Sequence, residues 1–282
     1  MSWGDRLRAR MDETGSLLCV GLDPDPGRFP APLRGEADTE EAIVRFNAGI
    51  VEATADLACA YKPNLGFYLA HGTAGLRALE RTRALLPPAT PVILDAKIGD
   101  IGSTAEAYAR GVFDTLGFDA VTVNPYLGED ALEPFLARPD RGVFVLCKTS
   151  NPGSRDLQDL PVTDDAETGP LHLAVARRVA RWDAAYPATV GLVVGATYPA
   201  ELAAVRRVCP VQPVLLPGVG AQAGDLEAAV RAGVDALGSG LVVAVSRAIL
   251  YAADGEDWIQ RARDAALKLR DAIGAARCAA AA

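Results

Sequence analysis

The chain is poor in the residues from which metal and redox centres are usually built. It has two histidines, His71 and His172, and five cysteines at positions 19, 59, 147, 209 and 278, with no C-x-x-C pair. A zinc site made of histidine and cysteine would lack ligands. Cys19, Cys59 and Cys147 each lie inside an apolar run and read as small buried hydrophobes of a reducing compartment. Long apolar stretches are missing too: none approaches the roughly 18 continuous residues of a membrane helix. The N-terminal Met-Ser-Trp-Gly-Asp-Arg-Leu-Arg has no apolar segment behind its basic residues, so it does not read as a signal peptide. A cytoplasmic protein with no membrane partner is expected. Positive charge is also in deficit, 28 basic against 36 acidic residues for a net −8. That argues against a broad nucleic-acid surface but still permits a local basic pocket for a small anion.

What the chain does have is core-forming material. Half of its 282 residues are hydrophobic and 23% are charged, and the length suits a single α/β barrel, which typically takes ~250 residues. Short runs rich in Val, Ile and Leu predict strands over 17–22, 57–61, 91–96, 120–123, 142–147, 190–194, 213–216 and 236–237. They lack clean polar alternation, as parallel strands covered on both faces do. Helices are predicted over 40–55, 75–86, 104–116, 170–185, 199–208 and 225–232, with Ser103 and Asp225 as N-caps and Gly117 and Gly233 as stops. Trp3, Leu7 and Met11 recur at i, i+4 and predict an amphipathic helix ahead of the first strand. Eight unbroken strand–helix units imply one closed (β/α)8 TIM barrel over 1–282 with an extra N-terminal helix, not an open doubly wound sheet. The longest irregular stretch, 149–169, follows the fifth strand and reads as a functional lid or a disordered insert. The alanine-rich tail, 275–282, is expected to fray.

In such barrels the catalytic groups come from strand C-termini and the loops after them. Here those positions carry Asp23 in VGLDPDP, Lys62 in AYKPN, Asp95 and Lys97 in VILDAKIGD, Asn124 in VTVNPYLG and Lys148 in VLCKTSNPG. Strand alternation points Asp95 and Lys97 the same way, into the barrel mouth. Taking two ions out of water costs several kcal/mol each, recovered only by good pairing. Lys62 and Asp100 would complete a line of alternating charges, although an ion pair that merely plugs the barrel would show the same spacing. Pro217-Gly218-Val219-Gly220 follows strand seven and Ser246-Arg247-Ala248-Ile249 begins the segment after strand eight. Barrels often hold phosphate there, on backbone N–H groups and a short helix start, and Arg247 can clamp phosphate oxygens in bidentate fashion. Glycine-rich barrel loops without a ligand are common, so the arginine carries the weight. His71 and His172 read as surface or packing residues. Lys148 is either a loop anchor or a substrate contact, and Asn124 either bonds the mouth or caps a turn.

Together these residues resemble the orotidine 5′-monophosphate decarboxylase family. Its hallmark Asp-x-Lys-x-x-Asp is matched by Asp95-Ala96-Lys97-Ile98-Gly99-Asp100, with Ile101 and Thr104 following, and its strand-one aspartate and strand-two lysine by Asp23 and Lys62. The tokens LDPDP, YKPNLGFY, NPYLG, KTSNPGS and SRAI look like the longer bacterial subgroup; Asn124 stands where the shorter subgroup has histidine. The resemblance implies decarboxylation of orotidine 5′-monophosphate to UMP in de novo pyrimidine biosynthesis, with no cofactor and no metal. It implies that Lys97 protonates C6, that Asp95 and Asp100 flank it, and that Lys62 and Asp23 meet the ribose. Ser150 would contact the pyrimidine, Asn124 would face the mouth, and Gly218, Gly220, Gln222 and Arg247 would hold the phosphate. Asp100 and Thr104 would reach the other site of a homodimer. Two further readings are a Mg2+-dependent sugar-phosphate decarboxylase or aldolase sharing the same hallmark, and a non-catalytic nucleotide sensor, which would need Arg247 but not Lys97.

Overall fold

The apolar runs pair side by side in one parallel sheet in the computed structural model, which describes residues 1–164, 167–218 and 223–281. The barrel strands are β1 (Leu18–Leu22), β2 (Ala60–Pro63), β3 (Ile93–Ile98), β4 (Ala120–Val123), β5 (Gly142–Lys148), β6 (Thr189–Val194), β7 (Val214–Leu216) and β8 (Leu241–Val245). Their hydrogen-bonded order is β2-β1-β8-β7-β6-β5-β4-β3. The two ends meet through parallel bridges, Tyr61 to Val92 and Asn64 to Asp95, so the sheet closes as a (β/α)8 barrel. Every residue of β1, β2, β4, β7 and β8 is buried, which is why these segments show no polar alternation. Among the described residues no helix is long and apolar enough to cross a membrane.

The N-terminal helix Trp3–Thr14 starts with a capping box between Ser2 and Asp5 and buries Trp3, Leu7 and Met11. Trp3 packs edge-on against Phe144 at 5.4 Å. A Cβ on Gly142 would meet that indole at 2.7 Å, so glycine is what admits the ring. Near this helix the buried Asp119 gathers Arg6 at 3.2 Å, Arg83 at 3.4 Å and Arg141 at 4.0 Å.

Several local expectations are corrected. The eighth strand is Leu241–Val245, not 236–237: Leu237 is 75% exposed in a turn that Gly238 and Gly240, at φ +65° and +71°, make possible. The second strand starts three residues and ends two residues later than predicted and takes Lys62 and Pro63 into the sheet. Ser103 is not a cap, because the helix Gly102–Arg110 already begins at Ile101's C-terminal side. That helix runs into a π turn, Gly111–Thr115, and Gly117 at φ +68° stops it as expected. Asp225 lies within the helix Ala223–Gly233, not ahead of it. The stretch 149–169 holds a short helix, Arg155–Gln158, and an antiparallel pairing of Pro161–Asp164 with Glu167–Pro170. The tail belongs to a 24-residue helix, Trp258–Ala281, that buries Ile273 and Ala276; alanine is the strongest helix former, so an alanine-rich end prolongs a docked helix.

Candidate functional site

The centre of the site is a fault in β3. Its pairing with β4 slips between Leu94 and Ile98, and Lys97 takes φ +51°, a left-handed conformation unusual for a non-glycine residue. Simple strand alternation therefore does not orient Lys97, as the sequence reading assumed; the slip does. Even so, the two side chains meet. Asp95 receives Lys62 Nζ on Oδ2 at 2.9 Å and Lys97 Nζ on Oδ1 at 2.6 Å. Asn64 Nδ2 donates to Oδ2 at 3.3 Å and the Thr122 hydroxyl to Oδ1 at 3.0 Å. The two ammonium groups are not equivalent: the Lys62 side chain is 5% exposed and that of Lys97 47%. Lys62 is the buried member of the cluster and Lys97 the solvent-accessible one.

Burial on its own would raise the carboxyl pKa of Asp95, but the charges of Lys62 and Lys97 outweigh it and hold the group at about 2. For Lys62 burial opposes the charged form, and the nearby Asp95 and Asp23 overcome it, so its pKa lies above the ordinary value. Lys62 and Asp95 thus form an ionised pair at neutral pH.

A second hydrogen-bonded frame joins this cluster to the far side of the barrel. Asp23, just past β1, accepts from the Asn64 backbone N–H at 3.1 Å and from the Ser246 hydroxyl at 2.6 Å. The Tyr251 hydroxyl donates to Asp23 O at 3.0 Å and accepts from Asp25 N at 2.8 Å. Tyr251 itself is held in an aromatic stack with Phe46, which also stacks on Phe29 and Trp258, and Arg28 lies 4.0 Å over its ring. Around this frame opens a cavity of about 670 Å3, lined by Asp23, Lys62 and Asp95 on one side and Gly218, Ser246 and Arg247 on the other. Its size is that of a small-ligand site. Ser150 lies against both Gly195 and Gly218: a Cβ on Gly195 would meet it at 2.7 Å, and one on Gly218 would lie 3.5 Å from its Oγ. It stands between the end of β5 and the loop after β7.

Other expected site residues are placed apart from this centre. The half-buried Asp100 carboxylate accepts from Ile101 N at 2.8 Å and joins no ion pair among the described residues. Within one chain, therefore, the line of charges runs Lys62–Asp95–Lys97 and stops. Thr104 is exposed on the helix Gly102–Arg110. Asn124 caps the following turn by accepting from Tyr126 N at 3.1 Å. Gly220 and Gln222 lie outside the described residues. Lys148, fully buried, is a loop anchor: its Nζ meets Asp159 at 2.6 Å and Ser154 at 3.3 Å. His172 is buried, with Nδ1 2.9 Å from Gln158 O. Asn64, Thr122 and Tyr251 were missed by sequence reasoning. Thr122 did carry a signal, being the one polar residue inside the apolar run Ala120–Val123.

A closed parallel barrel with a lysine–aspartate–lysine cluster at the C-terminal mouth, opposite an arginine and a glycine-opened loop, defines a barrel enzyme of the kind that binds small anionic substrates. The model of the Orotidine 5′-phosphate decarboxylase / HUMPS family matches residues 16–262. The orotidine 5′-phosphate decarboxylase of Thermomicrobium roseum is 57% identical over 273 residues, 97% of this chain and 95% of that protein. That of an Azoarcus species is 53% identical over 278 residues, covering 96% and 98%. The solved Leishmania donovani OMP decarboxylase superposes with a TM-score of 0.84 at 43% identity over 99% of each chain. This chain belongs to the Orotidine 5′-phosphate decarboxylase / HUMPS family.

Proposed function

We propose that this chain, acting as a single domain, decarboxylates orotidine 5′-monophosphate to UMP and CO2 in de novo pyrimidine biosynthesis. The observation that carries the reading is the Asp95 carboxylate shared by Lys62 at 2.9 Å and Lys97 at 2.6 Å beside a nucleotide-sized cavity that ends at Arg247. In the reaction the bond from C6 to the carboxylate breaks and its electron pair stays on C6. A fixed ammonium stabilises that charge and then supplies the proton that forms the new C–H bond. Lys97, the accessible member of the cluster, takes this role and regains its proton from solvent. Asp95, itself fixed by Lys62, holds it in place.

Asp23 and Lys62 meet the ribose, Ser150 the pyrimidine, and Asn124 stays at the rim. Arg247 and the Gly218 backbone hold the phosphate together with Gly220 and Gln222. We further infer a homodimer in which Asp100 and Thr104 enter the neighbouring site. Supporting this, Asp100 lacks an ion-pair partner within its own chain among the described residues, and the large side chains Ile101, Tyr108 and Tyr126 are 57%, 47% and 81% exposed. A cytoplasmic location suits Cys19, Cys59, Cys147 and Cys209, which are free and buried.

The direct test is incubation of the purified protein with orotidine 5′-monophosphate while the ultraviolet absorbance of the orotate ring is followed. A steady loss of that absorbance, unchanged by a chelator, is expected. An unchanged spectrum would refute the assignment, and loss of activity with chelator would favour a metal-dependent barrel enzyme.

A further inference from the structure

We infer that Thr122 is a positioning residue for Lys97: its hydroxyl pins the slipped segment of β3 that brings the ammonium onto Asp95, a role that rests on the decarboxylase reading above. Thr122 is 1% exposed, in the middle of β4. Its oxygen accepts from the backbone N–H of Ala96 at 2.9 Å and from that of Lys97 at 2.9 Å, and its O–H donates to Asp95 Oδ1 at 3.0 Å. A hydroxyl offers two acceptor sites and one donor, so all three are engaged in one three-residue stretch.

That stretch is the one the sheet leaves unpaired on its β4 side. The β3–β4 register runs Ile93 with Ala120 and Leu94 with Val121, then resumes at Ile98 with Val123. Asp95, Ala96 and Lys97 fall in the gap, and Thr122 fills it by giving two amides an acceptor that the regular ladder does not. Lys97 sits there at φ +51°, a conformation that persists in a non-glycine residue only when its surroundings over-determine it. The same oxygen atom of Asp95 that takes the Thr122 proton also takes Lys97 Nζ. Thr122 thus fixes the backbone from which Lys97 springs and also the carboxylate oxygen that Lys97 reaches. It lies behind the charge cluster, buried, and acts only through Asp95 and Lys97.

The test compares Thr122→Val, which keeps the shape and removes the hydroxyl, with Thr122→Ser, which keeps the hydroxyl. Misplacement of a reacting group by about 1 Å lowers turnover about a hundredfold, so T122V is expected to lose about that factor in kcat while KM and the Kd for UMP stay within about threefold. T122S should stay within about threefold of the wild type in every parameter. A second readout follows Lys97 itself. By microscopic reversibility a lysine that protonates C6 also exchanges the C6 hydrogen of UMP for deuterium in D2O, and that exchange should fall in parallel with kcat. If T122V does not fold, Thr122→Ala replaces it with the same expectation.

Wild-type kcat in T122V, or in T122A where it stands in, would overturn the inference. So would T122S losing as much as T122V, which would make the methyl group the important part. A collapse of UMP affinity together with kcat would reduce Thr122 to a structural residue. A wild-type protein inactive on orotidine 5′-monophosphate would sink the decarboxylase reading and this inference with it; an active wild type with an unaffected T122V would remove Thr122 alone.

Discussion

Replacing Asp95 by asparagine keeps the size of the side chain and removes the negative charge that two ammonium groups contact. Lys62 is buried, with its Nζ 2.9 Å from the carboxylate; in D95N it would be a buried cation without that partner, and breaking a buried pair from one side costs about 3–5 kcal/mol. Lys97, nearly half exposed, adds little to this because solvent screens it. The pH dependence follows from the carboxyl group, which the fold holds at about 2 against an ordinary 3.8. A depressed carboxyl pKa stabilises the fold at pH values above its unfolded value and ceases to do so as pH falls through its folded value. The difference corresponds to about 2 kcal/mol, of which roughly 1 kcal/mol is lost by pH 3 and most by pH 2. Urea unfolding of wild type and D95N, followed by tryptophan fluorescence, should show D95N less stable at pH 7. The gap should then narrow as the wild type is acidified from about pH 4 towards 2. A gap that stays constant or widens on acidification, or a D95N protein as stable as wild type at pH 7, would refute this account of the cluster.

Lys97→Ala should lower kcat by at least about a thousandfold, in line with loss of a general acid, while calorimetry shows UMP still binding; near-normal turnover would contradict its role. Arg247→Ala should weaken UMP binding by about 10–100-fold, the worth of charge-assisted phosphate bonds of about 1.5–3 kcal/mol, and leave uridine binding unchanged. Equal losses for nucleotide and nucleoside would remove Arg247 from the phosphate end. Asp119→Asn, which loosens Arg6, Arg83 and Arg141, should lower stability by about 2 kcal/mol with kcat unchanged once folded, because that end of the barrel carries no chemistry. A fall in kcat at full folding would show the two ends to be coupled.

The barrel itself was readable because its strands are buried on both faces, so seven of the eight left apolar runs that overlap the observed elements. The eighth was displaced to Ala236 and Leu237 because an apolar pair before Gly238 looks like a strand end. Only the left-handed turn at Gly238 and Gly240 shows that the chain reverses there before Leu241. The charges of the site were visible as lysines and aspartates where a barrel should be dry. Their geometry was not, because alternation presumes a regular strand and the register of β3 slips at these residues. Asn64 and Thr122 escaped notice for a related reason: a neutral polar side chain past a strand end or inside a short strand is commonplace, and nothing local indicates that both reach one carboxylate in a neighbouring strand. Lys148 had two readings open, and its burial with Asp159 decides for the anchor.

Parallel closure explains how residues so far apart in the chain act on one ligand. All eight strands deliver their C-terminal ends to the same rim, so Ser246, 223 residues from Asp23, bonds it directly. From there the path is short: the Asn64 backbone also binds Asp23, the Asn64 side chain binds Asp95, and Asp95 holds Lys97. The residue next to Ser246 is Arg247, which also lines the cavity. Every link but the last, which lies within β3, joins the ends of adjacent strands, whose relative positions the sheet register fixes. Under the proposed assignment, a phosphate gripped at Arg247 would set the nucleotide against a frame already tied to Lys97 as proton donor. That is how binding energy remote from C6 is converted into orientation at C6. A flexible chain carrying the same residues would have to order them with that same binding energy, and turnover would fall accordingly.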